Sequence, residues 1–309
     1  MKVSVCLITY NQKDFISQAI EGVLMQKTTF PFDLVIGDDN STDGTSEICS
    51  GYAAKFPDIV KYHRHEKNLG MMPNFLETLK VCSKSEYIAL CEGDDYWVDE
   101  NKLQLQADFL DANIGFSFSG HNHFFLRNDK LTAANKRVKG EVRFLKTEDY
   151  MLDPLFQTAS YFFRSSALPA AFPAWYNNVL AGDHFLVLLL SLKGDIVFFN
   201  RKMSVFRTFD NSLTIRKGPL EIKQNFVHHL KLFNEDTGLR FDKTINKIIR
   251  RWNLVYKVYE PAGYLENLAY LARNFGFYLM NFRRVTGFKL MAKYLLTSSI
   301  FNRVKSRIR

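Results

Sequence analysis

Cysteine is scarce in this chain of 309 residues: Cys6, Cys49, Cys82 and Cys91 are the only four, and no two form a CxxC step. That spacing supplies no disulfide framework and no zinc ribbon. Two of the four lie in apolar, strand-like runs, where a free thiol behaves as a small hydrophobe, so the expectation is reduced thiols and a cytoplasmic protein. Long apolar runs are missing as well. The longest, Phe185 to Leu190, is far below the roughly 18 residues that suggest a bilayer span, and the chain is expected not to cross a membrane. The stretch from Met1 to Ile8 is too short for a secretory signal and runs into a polar turn. Internal repeats and low-complexity segments are also lacking. The histidines include two HxH pairs, His63/His65 and His121/His123, but no third ligand of suitable type and spacing lies near them, which argues against zinc.

The bulk composition is that of a globular protein with a sizeable core: 47% hydrophobic and 24% charged residues, in a length that fits roughly two domains. Aromatic residues are abundant at 15% and spread along the whole chain. The net charge of +9 is not evenly spread. From Arg240 to Arg309 there are 15 Lys/Arg and 3 Asp/Glu, a net of +12, which leaves −3 for residues 1 to 239. The basic character therefore belongs to the tail.

Periodicity in the first half alternates between strand and helix. Lys2 to Ile8 reads as a buried strand, and Asp14 to Gln26 as a helix with Phe15, Ile16, Ala19, Ile20, Val23 and Leu24 on one stripe. Phe32 to Gly37 is a second strand. Ser41 to Gly44 supplies turn and cap residues for a helix reaching about Lys55. Ile59 to His63, Met72 to Cys82 and Tyr87 to Cys91 continue as strand, helix and strand. This order predicts a mainly parallel sheet with helices on both faces. Further short strands are expected at Phe116 to Phe125, Phe156 to Arg164, Ile196 to Asn200 and Val205 to Arg207, with an irregular stretch from Asn122 to Met151. Beyond residue 218 the pattern becomes helical, with breaks expected at Gly238, Pro261-Ala262-Gly263, Gly276 and Gly287. The expected division is thus a catalytic domain over 1–218 and a basic, aromatic helical region over 219–309.

In such sheets, ligands bind beyond the carboxyl ends of the strands, and three polar clusters fall at successive strand ends. They are Thr9-Tyr10-Asn11, Asp38-Asp39-Asn40 and Glu92-Gly93-Asp94-Asp95. Adjacent carboxylates at a buried strand end repel one another and are relieved by a cation or by hydrogen-bond donors. Mg²⁺ or Mn²⁺ suits the last cluster, because either takes one or two protein carboxylates and completes its shell with water and phosphate oxygens. A solvated acidic turn is the plainer alternative. The Asp38-Asp39 pair is equally compatible with turn and cap chemistry. A buried carboxylate there could instead accept the imide N–H of a uracil or thymine ring, with Tyr10 stacked on the same ring. Asp183, in Ala181-Gly182-Asp183-His184 before an apolar helical run, has the position of a helix cap.

Together, Val3 to Asn11, Asp38 to Thr45, Asn68-Leu69-Gly70 and Glu92 to Asp95 resemble family 2 glycosyltransferases in order and spacing, over about residues 1 to 215. The resemblance implies a GT-A fold, a nucleotide-diphosphate sugar donor that is UDP- or dTDP-linked, a Mg²⁺ or Mn²⁺ requirement and inversion at the anomeric carbon. Carried across residue by residue, it implies that Thr9, Tyr10 and Asn11 line the nucleotide. Asp39 or its neighbour Asp38 holds the base. Asp94 reaches the ribose and Asp95 ligates the metal, with the order within Asp94-Asp95 open by one position. Asp183 matches the catalytic base that removes the acceptor proton. Arg207 fits a diphosphate-neutralising or loop-ordering arginine, whereas Phe209 stands where the family commonly has histidine. The role of Glu92, where relatives carry Asp, is left open.

The acceptor expected is a saccharide or lipid-linked saccharide in bacterial surface-glycan synthesis. The basic, aromatic residues 240–309 suit either a helical subdomain or a membrane-surface element on the cytoplasmic face. Nothing resembles a nucleic-acid recognition motif. A sugar-nucleotide nucleotidyltransferase would need a glycine-rich phosphate loop where this chain has Thr9-Tyr10-Asn11-Gln12. A non-catalytic nucleotide-sugar binding protein is the other alternative.

Overall fold

The computed structural model describes residues 1–134, 138–209 and 217–256. The chain divides into two compact units, Met1–Ser212 and Leu213–Arg309. The first is an α/β unit around a ten-stranded mixed sheet. Its main path, by chain order of the strands, is β3-β2-β1-β4-β9-β6-β10-β5, with β7 paired to β6 and β8 to β10.

The parallel part is β1 (Val3–Thr9), β2 (Phe32–Asp38), β3 (Val60–Arg64) and β4 (Tyr87–Glu92). The crossovers are α1 (Ile16–Leu24), α2 (Thr45–Lys55) and α3 (Met71–Cys82). β1 and β4 are buried because helices cover them, which is why they read as nearly unbroken apolar runs, whereas the edge strand β3 is largely exposed. Ile16, Ala19, Ile20 and Val23 of α1 join Val3, Val5 and Leu7 of β1 in one core cluster. Register matters most here. Thr9 lies opposite Asp38 and Ile8 opposite Glu92, so three strand ends finish level, with neighbours about 4.8 Å apart.

The second half of the sheet uses β5 (Tyr96–Trp97), β6 (Phe116–Arg127), β7 (Lys130–Ala133), β8 (Val142–Leu145), β9 (Phe162–Arg164) and β10 (Asp195–Arg207). The structure differs from the sequence expectation in three places. The strand expected over Phe156 to Arg164 is only β9, preceded by a 3₁₀ turn at Thr158–Ser160. Two carbonyls of that turn are taken by side chains: the Trp97 indole donates to Ala159 O at 2.8 Å and the Gln106 amide to Ser160 O at 3.1 Å. The two strands expected between Ile196 and Arg207 are one, interrupted by register shifts between Phe199 and Ser204. The stretch expected to be irregular carries β7, β8 and α5 (Thr147–Leu152).

Helix α4 (Lys102–Ala112) was not signalled by periodicity, because two of its inward positions, Lys102 and Gln106, are polar yet fully buried. The Lys102 ammonium sits 4.1 Å from the Trp97 ring centroid and donates to Gln106 Oε1 at 2.8 Å. Helix α6 (Gly182–Ser191) is buried along nearly all its length.

In the second unit, α7 (Pro219–Asp236) and α8 (Asp242–Tyr256) are separated by a turn in which Gly238 and Leu239 adopt positive φ. Phe226 stacks on Trp252 with centroids 4.7 Å apart. The helical breaks expected beyond residue 256, with most of the basic, aromatic region, lie outside the described residues. Among the described residues, no helix is long and apolar enough to cross a membrane.

Candidate active site

The first two strand ends are stitched together before any ligand is considered. Asp39 N donates to Thr9 O at 3.0 Å. Asn11 N donates to Ser41 Oγ at 2.9 Å, Gln12 N to Thr45 Oγ1 at 2.8 Å and Lys13 N to Asp43 Oδ2 at 3.0 Å, while Thr42 N returns a bond to Asn11 Oδ1 at 2.8 Å. Asn11 and Asn40 both adopt left-handed backbone, which asparagine tolerates through its short polar side chain.

Asp38 is wholly buried. One oxygen accepts Ser41 N and Ser41 Oγ, and the other accepts Ser46 Oγ at 2.5 Å and Tyr62 OH at 2.7 Å. Asp39, 2% exposed, accepts Leu69 N at 2.6 Å and Gly70 N at 2.9 Å. Its carboxylate is thus tied to the Asn68-Leu69-Gly70 turn. Tyr10, by contrast, is 48% exposed beside this framework.

The third strand end is built differently. Beyond β4 the chain turns tightly, with Gly93 N bonded to Ile8 O and Asp95 N to Glu92 O. A Cβ at Gly93 would collide with Gln12 Oε1 and lie 2.7 Å from Thr9 Oγ1. Glycine is therefore required for the close approach of β1's end. Asp95 is buried. Its Oδ1 accepts Arg207 N at 2.9 Å, and its Oδ2 has no hydrogen-bond partner. Burial, then the charges of Asp94 and Glu92, push the Asp95 carboxyl well above the ordinary range. Burial likewise raises Asp94, against the Arg207 charge and a hydrogen bond from Gln12. Glu92 is pushed up to about 8, by burial first and then by the charges of Asp94 and Asp183. Glu92, Asp94 and Asp183 are only partly exposed.

Asp183 begins α6. The segment before it is fixed by a bond from Tyr176 OH to Gly182 O at 2.8 Å, and a Cβ on Gly182 would meet Met72 Sδ at 2.8 Å. Burial raises the Asp183 carboxyl, opposed by the backbone N–H groups of His184 and Asp183 and by the Thr158 hydroxyl. The fold therefore brings the start of α6 and the end of β4 to one place, 91 residues apart in sequence by residues 92 and 183.

Arg207 closes the cluster. Its guanidinium stands between the rings of Phe15 (4.9 Å) and Tyr96 (4.6 Å) and donates to Asp94 O and Gln18 Oε1. Phe209 packs on Phe15 at 5.2 Å. Glu92, Asp94, Asp95, Asp183 and Arg207 thus form one acidic site with a single arginine. Asn11, Asp38 and Asp39 spend their polar atoms on the neighbouring framework. Gln12, Gln18 and Thr158 were not signalled in the sequence, since their importance comes only from what the fold places beside them.

Among the described residues, no group of three or more His, Cys, Asp or Glu converges as a complete metal site. A divalent ion shared between one or two carboxylates and a diphosphate needs no such group. The residues fit that arrangement: Asp95 presents an unpartnered oxygen and Asp94 a partly exposed carboxyl.

A parallel β-α half-sheet with level acidic strand ends, continued by a mixed half that brings in Asp183 and Arg207, is the architecture of GT-A glycosyltransferases. A GT-A-type fold is shared with Staphylococcus aureus TarS 1–349 in complex with UDP-GlcNAc, at TM-score 0.57 and 18% identity over 74% of this chain and 65% of that one. It is shared too with the mannosyltransferase PcManGT from Pyrobaculum calidifontis in complex with GDP-Man and Mn²⁺, at TM-score 0.57 and 14% identity over 96% and 86%. Residues 4–165 match the family model described as glycosyl transferase family 2, and the chain belongs to that family. A Bacillus subtilis protein named as a teichuronic acid biosynthesis glycosyltransferase, TuaG, is 31% identical over 121 residues, 39% of this chain. Curated relatives are longer. This chain spans 46% of TuaG and 58% of the Mycobacterium tuberculosis protein that aligns with it over 205 residues at 32% identity.

Proposed function

We propose that the chain transfers a sugar from a uridine or thymidine diphosphate sugar to an acceptor hydroxyl, with inversion at the anomeric carbon. The observation that carries this reading is the confrontation of Asp183 with the Glu92-to-Asp95 turn, each carboxyl raised by burial and by its neighbours. Asp183 receives the proton of the incoming hydroxyl as the new bond forms. Attack from that side, opposite the departing nucleotide, inverts the sugar. Tyr10 offers an exposed ring for the base, with Thr9, Asn11, Asp38 and Asp39 shaping the wall beside it.

Asp94 and Asp95 would hold a Mg²⁺ or Mn²⁺ ion, which would supply charge neutralisation for the diphosphate leaving group. Asp94, the more open of the two, also lies on the ribose side. Arg207 adds a fixed positive charge and orders the turn.

The TuaG similarity and the basic, aromatic residues 240–309 support a saccharide or lipid-linked saccharide acceptor, reached at the cytoplasmic face of a membrane. The test is a panel of sugar nucleotides, each with Mn²⁺, scored by thermal stabilisation and by release of the nucleoside diphosphate. Stabilisation by one uridine or thymidine sugar with no turnover in any acceptor extract would favour a binding protein instead. Stabilisation by none would sink the reading.

A further inference from the structure

We propose that the outward face of α8 is a docking surface for an anionic lipid bilayer, seated through Lys243, Lys247, Arg250 and Arg251. This rests on the membrane-face reading above and deepens it by naming the contact and the lipid charge it requires. Residues at i, i+4, i+7 and i+8 share one side of a helix, so these four side chains form a single stripe about 12 Å long. All four are exposed. The opposite side of the helix holds its apolar contacts. Ile245 and Ile248 are buried, and Trp252 stacks on Phe226 of α7 with centroids 4.7 Å apart. Phe241, one residue before α8, stacks on Phe233 at 5.6 Å. The helix is thus held by one side and leaves its cations on the other.

A stripe of like charge is ordinarily relieved by acids within reach, and here none is supplied. Asp242 is the only acid in α8, and its carboxylate accepts the amides of Asn246 at 2.9 Å and of Asn234 at 3.4 Å. Among the described residues, no carboxylate forms an ion pair with any of the four cations. Their mutual repulsion is relieved by a surface that offers many anions at once. A bilayer rich in anionic headgroups is such a surface, because each Lys or Arg brought to it adds a favourable increment. A nucleic acid offers the same charge, but the chain carries no recognition motif for one, and a lipid-linked acceptor favours the membrane.

The test is sedimentation of the full chain with vesicles of phosphatidylcholine, alone or with about one-third phosphatidylglycerol. One variant combines Lys243→Gln, Lys247→Gln, Arg250→Gln and Arg251→Gln. A second removes the same charge from the first unit through Lys27→Gln, Lys61→Gln, Lys80→Gln and Lys84→Gln, all at exposed positions. The wild type should partition onto the anionic vesicles, leave the neutral ones unbound and be released by high salt. Partitioning should fall about a hundredfold in the α8 variant, about tenfold when only Lys243→Gln and Lys247→Gln are combined, and less than about threefold in the second variant. Helix content and melting temperature should stay at the wild-type values in all of them. Wild-type partitioning by the α8 variant, or equal losses in it and the second variant, overturns the inference and leaves the membrane-face reading standing. Tighter binding to a duplex DNA than to the anionic vesicles overturns it in favour of nucleic acid. Binding to neither kind of vesicle overturns the inference and the membrane-face reading together.

Discussion

Two sets of acidic residues stand at one edge of the sheet, Asp38 and Asp39 after β2 and the Glu92-to-Asp95 turn with Asp183 after β4, on either side of β1, and they are opposites in chemistry. Asp38 and Asp39 are saturated: six donors from side chains and backbone converge on their four oxygens. Glu92, Asp94, Asp95 and Asp183 are crowded by like charge, one oxygen of Asp95 has no partner, and every one has a raised carboxyl. Burial is common to both sets, so burial alone does not distinguish glue from chemistry. What distinguishes them is whether the oxygens are already satisfied. An ionised carboxylate with all its partners in place stabilises the fold, whereas one without them is a cost that a ligand can relieve.

The sharpest way to break this comparison is Asp183→Asn. Transfer should fall by about 10² to 10⁴, with Tm no lower than wild type, as read by product formation and calorimetry; a large loss of Tm would place Asp183 among the structural carboxylates. Next in size, Asp38→Ala should cost about 2 to 4 kcal/mol in urea unfolding, because it strands Ser46 and Tyr62 and frees the Ser41 turn. A smaller effect is expected at Asp95→Asn without metal. Relief of like-charge repulsion should leave stability unchanged or raise it by about 1 kcal/mol, while the Tm gain on adding Mn²⁺ disappears.

The subtlest expected effect is on pH dependence. Glu92 is raised from an ordinary 4.5 to about 8, so the folded protein retains a proton that the unfolded chain releases. That contribution to stability is full below about pH 4.5 and is lost as pH rises through about 8. Unfolding of the metal-free protein followed from pH 5 to 8 should therefore show a downward slope that Glu92→Gln flattens. An equal slope in the two proteins would remove Glu92 from the poised set.

The acidic strand ends were legible because each follows an apolar run that can only be a buried strand. The helix start at Asp183 was legible through its flanking Gly182 and the apolar stretch behind it. What each carboxylate does was not legible, since Asp38 and Asp39 are adjacent and chemically identical until Ser46, Tyr62 and the Leu69-Gly70 backbone choose between them. Helix α4 escaped periodicity because Lys102 and Gln106 occupy inward positions. The Thr158 turn escaped because its backbone is held by Trp97 and Gln106, residues more than 50 positions upstream. Arg207 was visible as a charge, but not its fixing between Phe15 and Tyr96, which depends on three separate segments meeting.

The bond from Arg207 N to Asp95 spans 112 residues, and that separation dictates an order of events. During synthesis from the N-terminus, β1 to β4 can pair while the chain is still growing, yet the amide that fixes Asp95 does not exist until β10 has been made. Long loops are closed late because their closure entropy must be met first. A fragment ending before residue 207 would consequently own every acidic strand end and still lack an assembled centre, so competence arrives only with the last strand of the sheet.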